Sequence, residues 1–116
     1  GHGKNCWYDN DVLQKVIDTN TAIEVCLTSN IQCRTEDTYA SHPAKKLLDA
    51  GVKVTLNTDN MSIAGINLDY EYDKALEEAG FTYNDLITMN INSIECSFMP
   101  EEDKQAYIDK LKTFYQ

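Results

Sequence analysis

The side chains that could do chemistry stand at two places in this sequence, the opening Gly1-His2-Gly3 and the pair Asp59-Asn60. An imidazole and a carboxylate are common partners for holding a metal ion or moving a proton. Asp59 follows the apolar stretch 52–57, which predicts a buried strand. In α/β folds the carboxyl ends of strands carry sites, because the strand is rigid and the loop after it varies. Taken alone, an aspartate after a strand is commonly a turn residue, and a histidine between glycines is commonly inert.

The composition describes one acidic globular unit. The chain has 116 residues, 42% of them hydrophobic, and a formal net charge of −9. This apolar content is enough for one core. The negative charge opposes binding to a phosphate backbone, so we expect no nucleic acid partner. No apolar run reaches the roughly 20 residues of a membrane span, and no signal-peptide pattern is present, so we expect no membrane association.

The spacing of the four cysteines favours free thiols. They are Cys6, Cys26, Cys33 and Cys96, and no two of them form a Cys-x-x-Cys pair. Structural zinc sites favour such closely spaced pairs, so a cysteine zinc site is not expected. Without a secretory signal, free thiols in a reducing compartment are the better interpretation than disulfides. We therefore expect a cytoplasmic protein.

Hydrophobic spacing and turn residues predict an alternating order of helices and strands. The predicted helices cover 10–19, 43–50, 68–79, 82–97 and 100–115, and the predicted strands cover 22–27 and 52–57. Residues 28–30 are expected to form a polar turn, and the stretches 32–41 and 61–65 to form loops. Two strands separated by a helix predict a parallel pair. Because an isolated pair has open edges, the sequence predicts either a part of something longer or self-association.

Each predicted strand has one apolar and one polar row. The apolar rows are Ile23, Val25 and Leu27 in the first strand and Val52, Val54 and Leu56 in the second; the polar rows are Glu24, Cys26 and Thr28, and Lys53, Thr55 and Asn57. The apolar rows are expected to meet helices. The polar rows could line a barrel interior that opens to a site, or they could face solvent, and the pattern alone favours neither.

Four motifs, in one order, resemble the last part of the adenosine deaminase family. Residues 1–3 resemble the tip of the sixth barrel strand, 24–30 the seventh strand and its exit, 42–51 the next helix, and 54–60 the eighth strand with its aspartate. The resemblance implies an α/β fold, the C-terminal portion of a (β/α)8 barrel of the TIM type followed by helices. Residues 1–116 would then be one partial domain, with barrel repeats in 1–60 and a helical region in 61–116.

The resemblance also implies a chemistry, the zinc-assisted hydrolytic deamination of adenosine to inosine and ammonia. Asp59 stands at the position of the family's zinc ligand, and zinc makes hydroxide available at neutral pH. His2 stands where a histidine helps to orient or deprotonate that hydroxide. Asn60 stands where relatives often carry a second aspartate that contacts the purine ring, and an amide can donate to a ring nitrogen. His42, which precedes Pro43, is interpreted as structural.

The family's remaining zinc ligands are missing from this sequence. They are a His-x-His pair and a further histidine near a catalytic glutamate, whereas this chain contains only His2 and His42. Zinc is therefore expected in the complete family site and not as a tightly bound ion of this chain. A complete barrel takes roughly 250 residues. We expect a C-terminal fragment of an adenosine deaminase that is inactive alone, with adenosine as the substrate of the complete enzyme.

Two other hypotheses stay open at this point. The chain could be a non-catalytic remnant that forms a homo-oligomer through surfaces that the missing N-terminal half would cover. It could also be an acidic module that binds another protein through its C-terminal helices. Concentration-dependent oligomers would favour the first alternative, and a captured protein partner would favour the second.

Overall fold

The computed structural model describes all of residues 1–116 and contains a two-stranded parallel sheet covered by helices. A 3-10 helix, His2–Tyr8, is followed by α1 (Asn10–Asp18), β1 (Ala22–Val25), α2 (Leu27–Gln32), α3 (Ala44–Asp49), β2 (Lys53–Leu56), α4 (Met61–Ala64), α5 (Leu68–Glu77), α6 (Tyr83–Glu95) and α7 (Glu101–Phe114). β1 and β2 pair with Ile23 opposite Val54 and Val25 opposite Leu56. No helix combines the length and the apolar character that crossing a membrane requires.

The apolar rows of both strands lie in one hydrophobic core. Val25 and Val54 are fully buried, and Leu56 is nearly so. α3 and α6 pack on β2, and they contribute the fully buried Leu47 and Met89. This arrangement confirms that the apolar rows meet helices. On the opposite row of β2, Asn57 Nδ2 donates to Thr55 Oγ1 at 2.9 Å, so these two polar side chains share a face, as predicted.

Local capping explains why most helices begin where the sequence predicts. Asp9 accepts hydrogen bonds from the N–H groups of Asp11 and Val12 at the start of α1. Thr82 and Asp85 form a reciprocal capping box at the start of α6. Such side chains satisfy backbone donors that have no partner within the helix. The five predicted helices are confirmed, with ends that differ by up to two residues.

Three stretches differ from the sequence prediction. Residues 1–3 were expected at the tip of a strand; a 3-10 helix begins at His2, and only Gly1 bonds to the edge of β1. The first strand ends at Val25, and the expected polar turn 28–30 lies inside α2. The expected loop after Asn60 contains the short helix α4, whose first turn is capped by the Asn60 side chain. The second and third differences share one cause: side-chain contacts with distant or capping residues outweigh the turn preference of polar residues.

Candidate functional site

The carboxyl ends of β1 and β2 lie at one edge of the sheet. Asn57 N–H donates to the Val25 carbonyl at 2.8 Å and aligns the two ends. Ser29, in the first turn of α2, and Asp59, three residues after β2, meet at this edge. The Ser29 hydroxyl donates to Asp59 Oδ2 at 2.7 Å, a contact between residues 30 positions apart. Because the strands are parallel, their exits bring these two side chains together.

Asp59 combines an exposed side chain with an uncommon backbone conformation. Its φ is 60°, in the left-handed region that most side chains avoid. The cost of this conformation for an L-residue is roughly 1 kcal/mol, and such residues cluster at functional sites. Oδ2 is engaged by Ser29, whereas Oδ1 makes no hydrogen bond with the protein. One carboxylate oxygen therefore remains available to a ligand.

Asn60 has its amide group oriented by the helix that follows. Its Oδ1 accepts a hydrogen bond from the N–H of Ile63 at 3.1 Å and caps α4. An asparagine amide offers an oxygen acceptor and an NH2 donor. Since the oxygen is occupied by the cap, the free end is the Nδ2 donor. The exposed Asn60 can therefore recognise an acceptor atom of a ligand beside Asp59.

His2 lies on the other side of β1 from Asp59. The Gly1 nitrogen donates to the Glu24 carbonyl at 2.8 Å. Neighbouring carbonyls of a strand point to opposite edges, and that of Val25 faces β2, so the Gly1 end lies along the far edge of β1. A segment along this edge, such as that of Gly1, lies two strand spacings, about 10 Å, from β2. His2 is exposed and makes no hydrogen bond with Asp59, so a ligand would have to bridge the two.

Gly3 allows the segment with His2 to approach β1 closely. A Cβ atom at Gly3 would lie 3.0 Å from Cδ1 of Ile23, closer than most Cβ atoms come to a neighbour, so the Ile23 side chain would have to shift. Ile23 is itself buried in the core. The close packing against Ile23 therefore explains the glycine at position 3, and the sequence alone did not predict it.

The side chains of this chain do not form a complete zinc site. No three His, Cys, Asp or Glu side chains converge at any point of the chain. Zinc sites in proteins use three or four such ligands. Asp59 fits the part of one ligand, since a metal-binding carboxylate is commonly held by a hydrogen bond to its second oxygen, here from Ser29. Zinc at this edge would need further ligands from outside residues 1–116.

His42 is structural, as the sequence interpretation had it. Its ring is buried, Nδ1 accepts from the N–H of Ala44 at 3.1 Å, and Nε2 lies 2.8 Å from Asn30 Oδ1. An acceptor role for Nδ1 puts the proton of the neutral ring on Nε2, which donates to Asn30. Burial lowers the pKa of His42 to about 4, because the charged ring would lose its hydration. The neutral ring thus ties Asn30 to the start of α3.

Two further polar contacts, both buried, were not predicted from the sequence. Glu71 is fully buried, and its carboxylate oxygens lie 3.3 and 3.4 Å from the N–H of Thr28. Burial raises the pKa of Glu71. Lys4 Nζ contacts Glu36 Oε1 at 2.7 Å, with 2% and 9% of the two side chains exposed. The pattern offered no sign of these ties, since each joins residues more than 30 positions apart.

Ser29 is the site residue that sequence analysis missed. The sequence places it only in the expected polar turn 28–30. Its position was a usable signal, because Ser29 and Asp59 each follow a predicted strand by two residues and the two strands were expected to be parallel. Strand exits of this kind lie side by side at one edge.

Comparison with known proteins shows which family this chain resembles. The chain matches the family model described as adenosine deaminase over residues 1–114. It is 36% identical over 115 residues to an adenosine deaminase of Lacticaseibacillus casei and 42% identical over 106 residues to one of Aliivibrio fischeri. The alignments cover 99% and 91% of this chain but only 34% and 32% of those proteins. The chain thus spans about a third of the length of these relatives.

Solved structures agree with this result. An adenine deaminase from Arthrobacter aurescens superposes with a TM-score of 0.93 at 27% identity, over 97% of this chain and 35% of that one. An amidohydrolase from Burkholderia, solved with bound Zn, superposes with a TM-score of 0.80 at 21% identity, over 96% of this chain and 33% of that one, and supports the fold alone. The parallel strand pair agrees with part of a barrel of this kind. The chain belongs to the adenosine deaminase family.

Proposed function

We propose that residues 1–116 supply one part of the active site of a zinc-dependent deaminase that converts adenosine to inosine and ammonia. The observation that carries the proposal is the Ser29–Asp59 contact at the carboxyl edge of two parallel strands, in a chain of this family. Asp59 would be one zinc ligand. His2 would handle a proton of the attacking water, and Asn60 would contact the purine ring.

The chemistry of these side chains supports the roles. Zinc, when bound, makes hydroxide available near neutral pH. An imidazole takes up and releases protons in the same pH range, which suits His2 to hold or move a proton at a ring nitrogen. Asn60 Nδ2 is the free donor of its amide, so it fits an acceptor nitrogen of a purine. Ser29 holds one oxygen of the Asp59 carboxylate, and the other oxygen is then free to bind the zinc.

In this proposal the chain does not deaminate adenosine alone. A zinc site needs three or four protein ligands, and residues 1–116 offer Asp59 without two others beside it. The part of these relatives that the chain does not match is about twice as long as the part that it matches. The remaining ligands would come from that portion. We place the protein in the cytoplasm, since none of its four thiols is paired.

Complementation tests the proposal. The assay follows the absorbance change of adenosine with added zinc, for this chain, for the Lacticaseibacillus casei adenosine deaminase lacking the third that matches this chain, and for their mixture. We expect inosine from the mixture only, and none from a mixture made with Asp59→Ala. Turnover by the chain alone would contradict its incompleteness. If the two parts form a complex that binds zinc without producing inosine, the proposed reaction is wrong.

A second candidate function is self-association, since β2 has a strand neighbour on one side only. The backbone of Leu56 points away from β1, because that of Asn57 bonds to Val25. The Val54 carbonyl on the same edge accepts from Asn92 Nδ2 at 2.9 Å, so pairing with a second copy would have to use the Leu56 end. Sedimentation equilibrium over a range of concentrations would detect dimers. A monomer at all concentrations would remove this candidate.

A further inference from the structure

The first turn of α2 is held on both sides of Ser29. Before Ser29, Thr28 donates its N–H to the buried carboxylate of Glu71, and its hydroxyl lies 2.9 Å from the hydroxyl of Tyr39. After Ser29, Asn30 accepts a hydrogen bond from the buried ring of His42 at 2.8 Å. Each of these ties is buried or partly buried. Loss of any one would leave a polar group without a partner in a low-dielectric interior, which is costly.

Ser29, between these two residues, is the one whose side chain reaches the exposed edge. Its hydroxyl donates to Asp59 Oδ2 at 2.7 Å. The left-handed backbone of Asp59, with φ of 60°, places the carboxylate against this hydroxyl. A serine in a freely moving turn could not hold a partner in this way, whereas α2 cannot turn without breaking the ties of Thr28 and Asn30. The buried contacts of Thr28 and Asn30 therefore hold the exposed Ser29–Asp59 contact in place.

We propose that Ser29 is a positioning residue for Asp59, and that Glu71 and His42 hold Ser29 in place for this task. Ser29 engages Oδ2 and confines the carboxylate to one rotamer, so that Oδ1 is the oxygen presented to a cation. That Asp59 meets a metal rests on the proposed function; that Ser29 fixes its rotamer does not. Outer partners of metal-binding carboxylates commonly affect metal affinity by about ten- to a hundredfold.

The first test uses this chain without metal. Three-bond couplings from the backbone nitrogen and carbonyl carbon to Cγ of Asp59 report its χ1 angle, for the wild type, Ser29→Ala and Ser29→Thr. The matched control is Ser93→Ala, which removes a hydroxyl that donates to the Met89 carbonyl within α6. We expect one rotamer in the wild type, Ser29→Thr and Ser93→Ala, and averaged couplings in Ser29→Ala. Unchanged couplings in Ser29→Ala, with its other amide shifts retained, would overturn the proposal.

The second test measures metal and not activity. In an exchange protein, residues 1–116 replace the matching third of the Lacticaseibacillus casei adenosine deaminase, and zinc release to a coloured chelator is followed. Ser29→Ala should release zinc about ten- to a hundredfold faster, and Ser29→Thr should restore slow release. Averaged couplings with unchanged zinc release would overturn the metal part of the proposal. An exchange protein that binds no zinc even with Ser29 intact would instead contradict the proposed function.

Discussion

Two sets of polar contacts lie around α2 and differ in their exposure to water. The buried set consists of Lys4–Glu36, Thr28–Glu71 and Asn30–His42. The exposed set consists of Ser29, Asp59 and Asn60. Both sets contain a carboxylate and a side-chain amide, and the buried set adds an ammonium group and an imidazole ring. Only the exposed set keeps a carboxylate oxygen without a protein partner.

The difference separates stability from ligand binding. A buried charge or amide that loses its partner has no water to replace it, so the buried set should dominate the free energy of unfolding. An exposed group that loses its partner is rehydrated, so the exposed set should contribute little to stability. Asp59 can therefore keep a left-handed backbone and a free carboxylate oxygen while the buried contacts stabilise the surrounding fold.

The largest expected effect comes from the buried ion pair. Lys4→Met leaves the Glu36 carboxylate buried without its cation and should lower the free energy of unfolding by about 3–5 kcal/mol. Replacement of both partners, Lys4→Met with Glu36→Leu, should recover most of this loss, since no charge is then left unpaired. Urea denaturation followed by circular dichroism measures both. A cost below about 1 kcal/mol for Lys4→Met would place this pair with the exposed set.

The buried His42 should make the free energy of unfolding depend on pH. The expected loss at low pH is somewhat smaller than the loss from breaking the ion pair. Its pKa is 6.5 in the unfolded chain and about 4 in the folded protein, so between these values only the unfolded chain binds the proton. Stability is therefore fully present above pH 6.5 and falls as the pH drops towards 4. The loss is about 3 kcal/mol, from 1.36 kcal/mol per pKa unit.

The control for this prediction is His42→Gln, which keeps an amide donor for Asn30 and does not titrate. Urea denaturation at several pH values should show a shallower decline for the variant between pH 6.5 and 4. The difference between the two curves isolates His42 from the carboxylates that titrate nearby. Curves that run parallel would contradict the burial of a neutral ring.

The smallest effect is expected at the exposed Asp59. Asp59→Gly removes the strain of the left-handed backbone, whereas Asp59→Ala keeps it and gives up the side chain's polar contacts. Asp59→Gly should therefore be more stable than Asp59→Ala by about 1 kcal/mol. Thermal unfolding of the two variants measures the difference. If Asp59→Ala proved the more stable, the left-handed conformation would be no source of strain.

The sequence predicted those elements whose signals are local. α6 has its cap at Thr82 and Asp85, within one turn, and the apolar rows of both strands lie in the core as predicted. α2 was missed because Thr28 finds its partner Glu71 at a distance of 43 residues. A pattern read along the chain contains no such contact, so the polar residues at this point indicated a turn.

The candidate site was predictable to a similar degree. The family motifs led to Asp59 and Asn60, and both lie at the carboxyl edge of the sheet. Ser29 was missed because its role depends on the parallel register that brings it to Asp59. His2 was expected at a strand tip, and the sequence did not predict the 3-10 helix that begins there. Side-chain position across a sheet depends on packing such as that of Gly3 on Ile23, which sequence spacing does not encode.

The most direct test of the account is the deamination of adenosine by the exchange protein, measured by the absorbance change to inosine together with the free energy of unfolding. Asp59→Ala is compared with Asp69→Ala, a matched change at an exposed aspartate in the first turn of α5. We predict turnover by the parent exchange protein and by Asp69→Ala. Asp59→Ala should give no inosine while its stability stays within about 1 kcal/mol of the parent. Inosine formation by a folded Asp59→Ala protein would contradict the account, because Asp59 would then be no part of the site.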